Sequence, residues 1–417
     1  MPPTLVAPEA VGFSAARLER IRPAMQQYVD QGKIAGINTL IARRGQVLYR
    51  DQVGLMDKGS GKPMSADAIF RIYSMTKPII CTALMTLYEQ GKFHLFDPVA
   101  KYIPAFATVK VWESDAASGQ KMVDPVRPMT VRDLFMHTAG LTYDFLADSP
   151  VGEFYREARL GNNTERTLEQ MILELARQPL AYQPGSRWHY SLSIDVLAYL
   201  IEILSGQPLR DFLKAQLFAP LGMTDTDFGV PADKQDRLAT MYGLPDIVGI
   251  GITLPKLAEA WMSGFNEQID VSTTYPADRP EHFARGGHGL FSTVNDYLRF
   301  AQMLLNGGTL DGERILSRKI VELMHTNHVP PALLPYDIGG IPSAGYGFGL
   351  GSRVLLNVAD SAIPGSVGEF GWAGAAKTYY WIDPREQIVG ILMSQCMMGF
   401  ELPEKDLQLL TYQALVD

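Results

Sequence analysis

The sequence predicts an α+β protein: an antiparallel sheet flanked by N- and C-terminal helices, with a mainly helical region inserted between its strands. Three observations carry this. The chain opens helix, strand, strand; it closes strand, strand, helix; and the long middle reads mostly as helices. Strands confined to the two ends imply a sheet that both termini complete.

The elements follow in order. After Ser14, an N-cap residue, Leu18, Ile21, Met25 and Tyr28/Val29 recur at three to four residues, the spacing of one buried helix face. Pro23 is expected to kink that helix. The β-rich runs Ile37 to Ala42 and Val47 to Val53 flank Arg43-Arg44-Gly45-Gln46, whose glycine suits a short hairpin loop. Helical stretches follow at Ile79 to Tyr88, Val131 to His137, Leu168 to Arg177, Ile194 to Leu204 and Leu209 to Leu217. Thr378 to Ile382 and Ile388 to Ser394 form the closing strands around Asp383-Pro384-Arg385-Glu386, and Pro403 to Val416 carries Leu407, Leu410 and Leu415 on one helix face. Two long connections, Thr142 to Thr164 and Leu244 to Gly287, read as binding loops or as surface insertions; the second holds Trp261, Phe265, Tyr275 and Phe283.

Composition narrows the function. The chain has 417 residues, enough for two or three domains or one large core with an insertion. With 47% hydrophobic and 20% charged residues it is not a disordered chain. A net charge of −8 and a pI near 5.5 give no positive field for a phosphate backbone, so nucleic acid is not an expected partner. Cys81 and Cys396 are too few for a disulfide framework and form no C-x-x-C pair. The N-terminus lacks a basic segment followed by an apolar run, so a cytoplasmic location is expected, and no stretch is long enough for a membrane span.

Three motifs could carry chemistry. Ser74-Met75-Thr76-Lys77 stands at the start of the apolar helix Ile79 to Tyr88. Residues three apart share a helix face, so the hydroxyl and the amine can meet, and the helix N-terminus favours developing negative charge. Burial disfavours the ammonium form of a lysine, leaving an amine able to take the serine proton. Alone, the pattern also fits an N-cap serine with a snorkelling lysine, and Ser118-Gly119-Gln120-Lys121 matches it in a polar stretch. Tyr190, in Trp188-His189-Tyr190-Ser191 before a helix, is a second candidate base or a packed aromatic. Gly371-Trp372-Ala373-Gly374-Ala375-Ala376 lets a substrate approach a strand edge, or marks a β-bulge beside a core tryptophan.

Ser74-x-x-Lys77, Tyr190 and Trp372-Ala373-Gly374, in this order, resemble the serine β-lactamase and DD-peptidase superfamily, and most nearly the family VIII carboxylesterases. Met136 to Leu141, Pro220 to Thr226, Gly287 to Thr293 and Tyr346 to Gly351 extend the resemblance over nearly the whole chain. It implies a discontinuous sheet domain of residues 1–73 and 226–417, a helical domain of residues 74–225, and a site in the cleft between them. It makes Ser74 the nucleophile and Lys77 and Tyr190 the proton-transfer pair. The oxyanion hole would be the backbone N–H groups of Ser74 and Ala375, with Trp372, Ala373, Gly374, Tyr143, Phe145 and Leu192 contacting substrate. Class C β-lactamases show K-T-G where Trp372-Ala373-Gly374 stands, and an asparagine where Leu192 stands. A neutral ester is therefore the expected small-molecule partner, and no cofactor is expected.

No metal set is expected, because His325-x-x-His328 has only Glu322 nearby and no H-E-x-x-H helix occurs. His137 and His189 read as turn and packing groups. Neither a G-x-S-x-G elbow nor a G-x-x-x-x-G-K-[ST] loop is present. The leading expectation is hydrolysis of short-chain carboxylic esters through an acyl-serine. A β-lactamase, a peptidase acting on D-residues or an acyltransferase would use the same intermediate, and a silent scaffold would be expected to have lost one of Ser74, Lys77 and Tyr190.

Overall fold

The computed structural model describes residues 4–114, 119, 121–146, 148–161, 163–244, 267–281, 283–399 and 401–417. Ser118, Gln120, Trp261 and Phe265 lie outside the described residues. The strands are β1 (Gly36–Arg43), β2 (Gln46–Asp57), β3 (Lys62–Pro63), β4 (Tyr346–Phe348), β5 (Arg353–Leu355), β6 (Phe370–Gly374), β7 (Thr378–Asp383) and β8 (Ile388–Met393). Among the described residues these eight form one antiparallel sheet in the order β4-β5-β6-β7-β8-β1-β2-β3. The two ends of the chain meet in the β1–β8 pair, where Asn38 faces Met393 and Arg43 faces Ile388. Between β1 and β2 the chain reverses through Arg44 and Gly45, both at positive φ (53° and 75°), the conformation a two-residue hairpin turn requires.

Period-two alternation sorts the strand side chains to two faces. Tyr379, Trp381, Ile388, Leu392, Ile37 and Ile41 point to one face. There they meet α2 (Ile21–Asp30) through Ile21 and Met25, and the C-terminal helix α11 (Pro403–Tyr412) through Leu407. Tyr380, Ile382, Val389, Ile391, Met393 and Leu40 point to the other, into the core shared with α9 (Val294–Leu305) and the helices of the middle region. Those helices are α3 (Thr76–Glu89), α4 (Val131–Phe135), α5 (Val151–Glu157), α6 (Leu168–Leu175), α7 (Ser193–Ser205) and α8 (Leu209–Leu213); α10 (Arg318–Met324) lies beyond α9. Every residue of α3 from Thr76 to Leu87 is buried, as expected of a helix apolar all round and packed against α7.

Several expected boundaries move. The first helix is two pieces, α1 (Ala15–Leu18) and α2, because Pro23 has no N–H to donate and its ring excludes the carbonyl four residues back, at Glu19. α4 stops at Phe135, before His137, whose φ of 57° is not helical. Within 142–164 the structure has α5, with Val151 and Tyr155 one turn apart and buried. The stretch Leu209 to Leu217 leaves α8 for a wider π-type turn over Lys214–Phe218, and α11 ends at Tyr412. No helix of the described residues is long and apolar enough to cross a membrane.

Candidate active site

A single turn, Tyr73–Met75, delivers the chain from β-structure into α3, and it packs against β6. Tyr73 has a left-handed φ of 44°, so the direction change falls immediately before Ser74. The Ser74 hydroxyl then sits between two partners. Lys77 Nζ donates to Ser74 Oγ at 3.1 Å and Tyr190 Oη donates to it at 2.6 Å. Lys77 is 1% exposed, donates a second hydrogen bond to the Gly287 carbonyl at 2.7 Å, and lies 4.5 Å from the ring centroid of Tyr190.

Tyr190 is held from both sides. The Thr142 carbonyl accepts from Leu192 N–H (3.3 Å) and the His137 carbonyl accepts from His189 N–H (2.7 Å), fixing the strand-like entry to α7. Its ring lies 4.9 Å from His137, 5.2 Å from Tyr143 and 5.8 Å from Trp372. His137 and His189 both pack. Burial holds the His137 imidazole well below its ordinary range, and its Nδ1 meets Ser191 Oγ at 3.2 Å. His189 is pushed down to about 4, chiefly by burial, and its Nε2 meets Thr142 Oγ1 at 2.8 Å.

Over Ser74 opens a narrow cavity of about 40 Å³, lined by Tyr73, Tyr143, Phe145, Leu192, His288 and Ala375 together with Asp144, Gly161 and Tyr190. Among the described lining residues there is no lysine or arginine. Tyr143 and Phe145 stack at 4.7 Å and make one apolar wall. Ala375 comes from the turn that follows β6, beside the Ser74 turn. Trp372 stands behind Tyr190 and in edge contact with Phe348 (5.2 Å), and neither it nor Ala373 and Gly374 is part of that lining. The Lys377 ammonium pairs with Glu404 of α11 at 3.6 Å.

Three residues near the lysine have no role assigned from the sequence, although two of them lie in the stretch Gly287 to Thr293 that carries the resemblance. Gly287 supplies the carbonyl that holds Lys77, and its N–H donates to Asp195 Oδ1 at 2.9 Å. Asp195 is fully buried in the first turn of α7; burial raises its carboxyl, opposed by Gly287 N–H and by Lys77. His288, pushed down to about 3 by burial and then by Lys77 and Arg285, is a neutral ring on the cavity wall. The available signal was an aspartate five residues after Tyr190, followed by the apolar run Val196-Leu197-Ala198, since a buried carboxylate needs partners. The assembly offers a hydroxyl with an amine and a phenol in hydrogen-bond reach, the geometry that activates a serine for acyl transfer.

A family model described as Beta-lactamase matches residues 21–413. An uncharacterised protein of Mycobacterium tuberculosis is 34% identical over 383 residues, covering 91% of this chain and 90% of its own. Esterase EstB of Burkholderia gladioli is 29% identical over 399 residues, covering 90% of each. The solved structure of EstCE1, described as a hydrolase with promiscuous acyltransferase activity, superposes with a TM-score of 0.77 at 30% identity, covering 95% of this chain and 99% of its own.

Proposed function

Because the chain belongs to the β-lactamase family, we propose that it is a serine carboxylesterase acting on short-chain esters through an acyl-Ser74 intermediate. One observation carries the reading: Ser74 Oγ lies 3.1 Å from Lys77 Nζ and 2.6 Å from Tyr190 Oη at the mouth of an apolar cavity. Ser74 Oγ attacks the ester carbonyl carbon while its proton passes to the Lys77/Tyr190 pair. The backbone N–H groups of Ser74 and Ala375 stabilise the oxyanion, the alcohol departs with the proton, and water activated by the same pair cleaves the acyl-serine. Tyr143, Phe145 and Leu192 contact the acyl group, with Trp372, Ala373 and Gly374 forming the wall behind. The cleft lies between a sheet domain of residues 1–73 and 226–417 and a helical domain of residues 74–225.

A small acyl group fits the narrow cavity, and the lack of a cation among the described lining residues favours a neutral ester. Transfer of the acyl group to an alcohol in place of water is a second reading, favoured by the likeness to EstCE1. A panel of p-nitrophenyl esters from acetate to palmitate, run with a chromogenic cephalosporin and with added alcohols, tests both. Turnover falling steeply with acyl length is expected, and hydrolysis of the cephalosporin alone overturns the esterase reading.

A further inference from the structure

We infer that Asp195 is a positioning residue for the Ser74 chemistry: through the Gly287 backbone it sets Lys77 against Ser74, and its charge balances the ammonium form of that lysine. The inference rests on the functional reading above. Its basis is a chain of contacts from one element to another. Lys77 on α3 spends one hydrogen bond on Ser74 Oγ (3.1 Å) and another on the Gly287 carbonyl (2.7 Å). Gly287 in turn is fixed by its N–H, which donates to Asp195 Oδ1 (2.9 Å). Asp195 belongs to the helix that Tyr190 introduces, so one element carries the phenol partner of Ser74 and also fixes the acceptor of the amine partner.

The packing leaves no slack. A Cβ on Gly287 would fall 2.6 Å from Asp195 Oδ2 and 2.8 Å from Tyr143 Oη, so any other residue there would have to displace the carboxyl or the phenol. Asp195 Oδ2 is buried without a hydrogen-bond partner among the described residues. Burying a carboxyl with an unmet oxygen is unfavourable, so a purely structural role would be served better by an asparagine or an apolar side chain.

The charges around the two groups decide the pH behaviour. Asp195 is faced by Lys77 from α3, by Arg285 from the segment before Gly286, and by Tyr143 from the cleft wall. Lys77 is faced by Tyr190 and Tyr143, by Cys81 on its own helix, and by His137 and His288. Burial holds both imidazoles below their ordinary range, and of these groups Asp195 is the one that brings a carboxyl to face Lys77. Removing its charge disfavours the ammonium form, and the acid limb of kcat/KM moves to lower pH.

The test uses the full chain as wild type, Asp195→Asn and Asp195→Ala. Each is titrated with a p-nitrophenyl alkylphosphonate to count reactive serines and assayed on p-nitrophenyl acetate across pH. Asp195→Asn keeps an acceptor for the Gly287 N–H, and its acid limb should move down by about one pH unit. Asp195→Ala also loses the acceptor, and kcat should fall about 10- to 100-fold with KM little changed, as for a reacting group displaced by an ångström or less. An unmoved acid limb in Asp195→Asn overturns the inference, as does wild-type kcat in a folded Asp195→Ala. If the alanine variant does not fold, the asparagine profile alone decides. A wild type inert to both phosphonate and ester overturns instead the functional reading beneath the inference.

Discussion

Two lysines occupy corresponding places on either side of the Ser74 turn, and the fold uses them in opposite ways. Lys77 begins α3, is 1% exposed, and turns its amine to Ser74 Oγ and the Gly287 carbonyl. Lys377 closes the hairpin between β6 and β7 at a left-handed φ of 60°, and its ammonium goes to Glu404 on α11. In the proposed mechanism the first lysine moves a proton at Ser74 Oγ. The second fastens the C-terminal helix to the sheet, and the described residues lining the cavity include no lysine or arginine. A lysine's proximity in sequence to a motif therefore says little; where the backbone sends its stem decides whether its charge belongs to the site or to the scaffold.

The comparison breaks first at Ser74. Ser74→Ala removes the attacking oxygen, so incorporation of a phosphonate ester, read by intact-mass spectrometry, should drop to zero. Persistence of a stoichiometric adduct would move the nucleophile elsewhere. Lys77→Met and Tyr190→Phe should each lower kcat/KM by on the order of 10²–10⁴, the scale of a positioned acid or base. In the wild type the rate should rise from acidic to mildly alkaline pH, with an apparent pKa belonging to the coupled pair. Near-wild-type turnover by Tyr190→Phe with an unchanged profile would remove the phenol from the proton path.

Much of the fold was legible in the sequence because its signals are local. The hairpins around Gly45 and Pro384, the apolar run of α3 and the S-x-x-K spacing each depend on neighbours a few residues away. The contacts that were not legible are long-range. Nothing adjacent to Asp195 announces Gly287, 92 residues on, and nothing near Lys377 announces Glu404. Trp372 shows the same limit: its place before two small residues fitted either a substrate approach or a core tryptophan, and its ring contacts with Tyr190 and Phe348 come from distant parts of the chain. The break at Glu19 was legible in kind, since Pro23 requires it, but the proline acts four residues upstream of itself.

The next prediction sharpens the comparison through substrate charge. A β-lactam carries a carboxylate that needs a partner once desolvated, and an unpaired buried charge costs several kcal/mol. Lys77 is engaged with Ser74 and Gly287, and Lys377 is turned to Glu404, so neither supplies that partner. A side-chain amide meeting Leu192 in place of a polar group loses a further ~1–3 kcal/mol. At 1.36 kcal/mol per tenfold, kcat/KM for p-nitrophenyl butyrate should exceed that for benzylpenicillin by at least about a hundredfold. A β-lactam value equal to the ester's would mean that a cation reaches the cleft after all.

The smallest effect should come from Lys377 itself. If its charge belongs to the scaffold, Lys377→Met should leave kcat/KM for neutral esters within about twofold, because no reacting atom feels the ammonium. The change should appear in stability. The Lys377 and Glu404 side chains keep 13% and 15% of their exposure, between a surface pair worth ~0–1 kcal/mol and a fully buried one whose breaking costs ~3–5 kcal/mol. Glu404 Oε2 is already buried without a partner, so losing the lysine strands the whole carboxylate. A loss of about 1–2 kcal/mol in denaturant unfolding is therefore expected. Glu404→Gln in the same background should recover part of it, since the amide removes the uncompensated charge while keeping the shape. A tenfold fall in ester turnover by Lys377→Met at unchanged stability would place this lysine in the site and erase the contrast with Lys77.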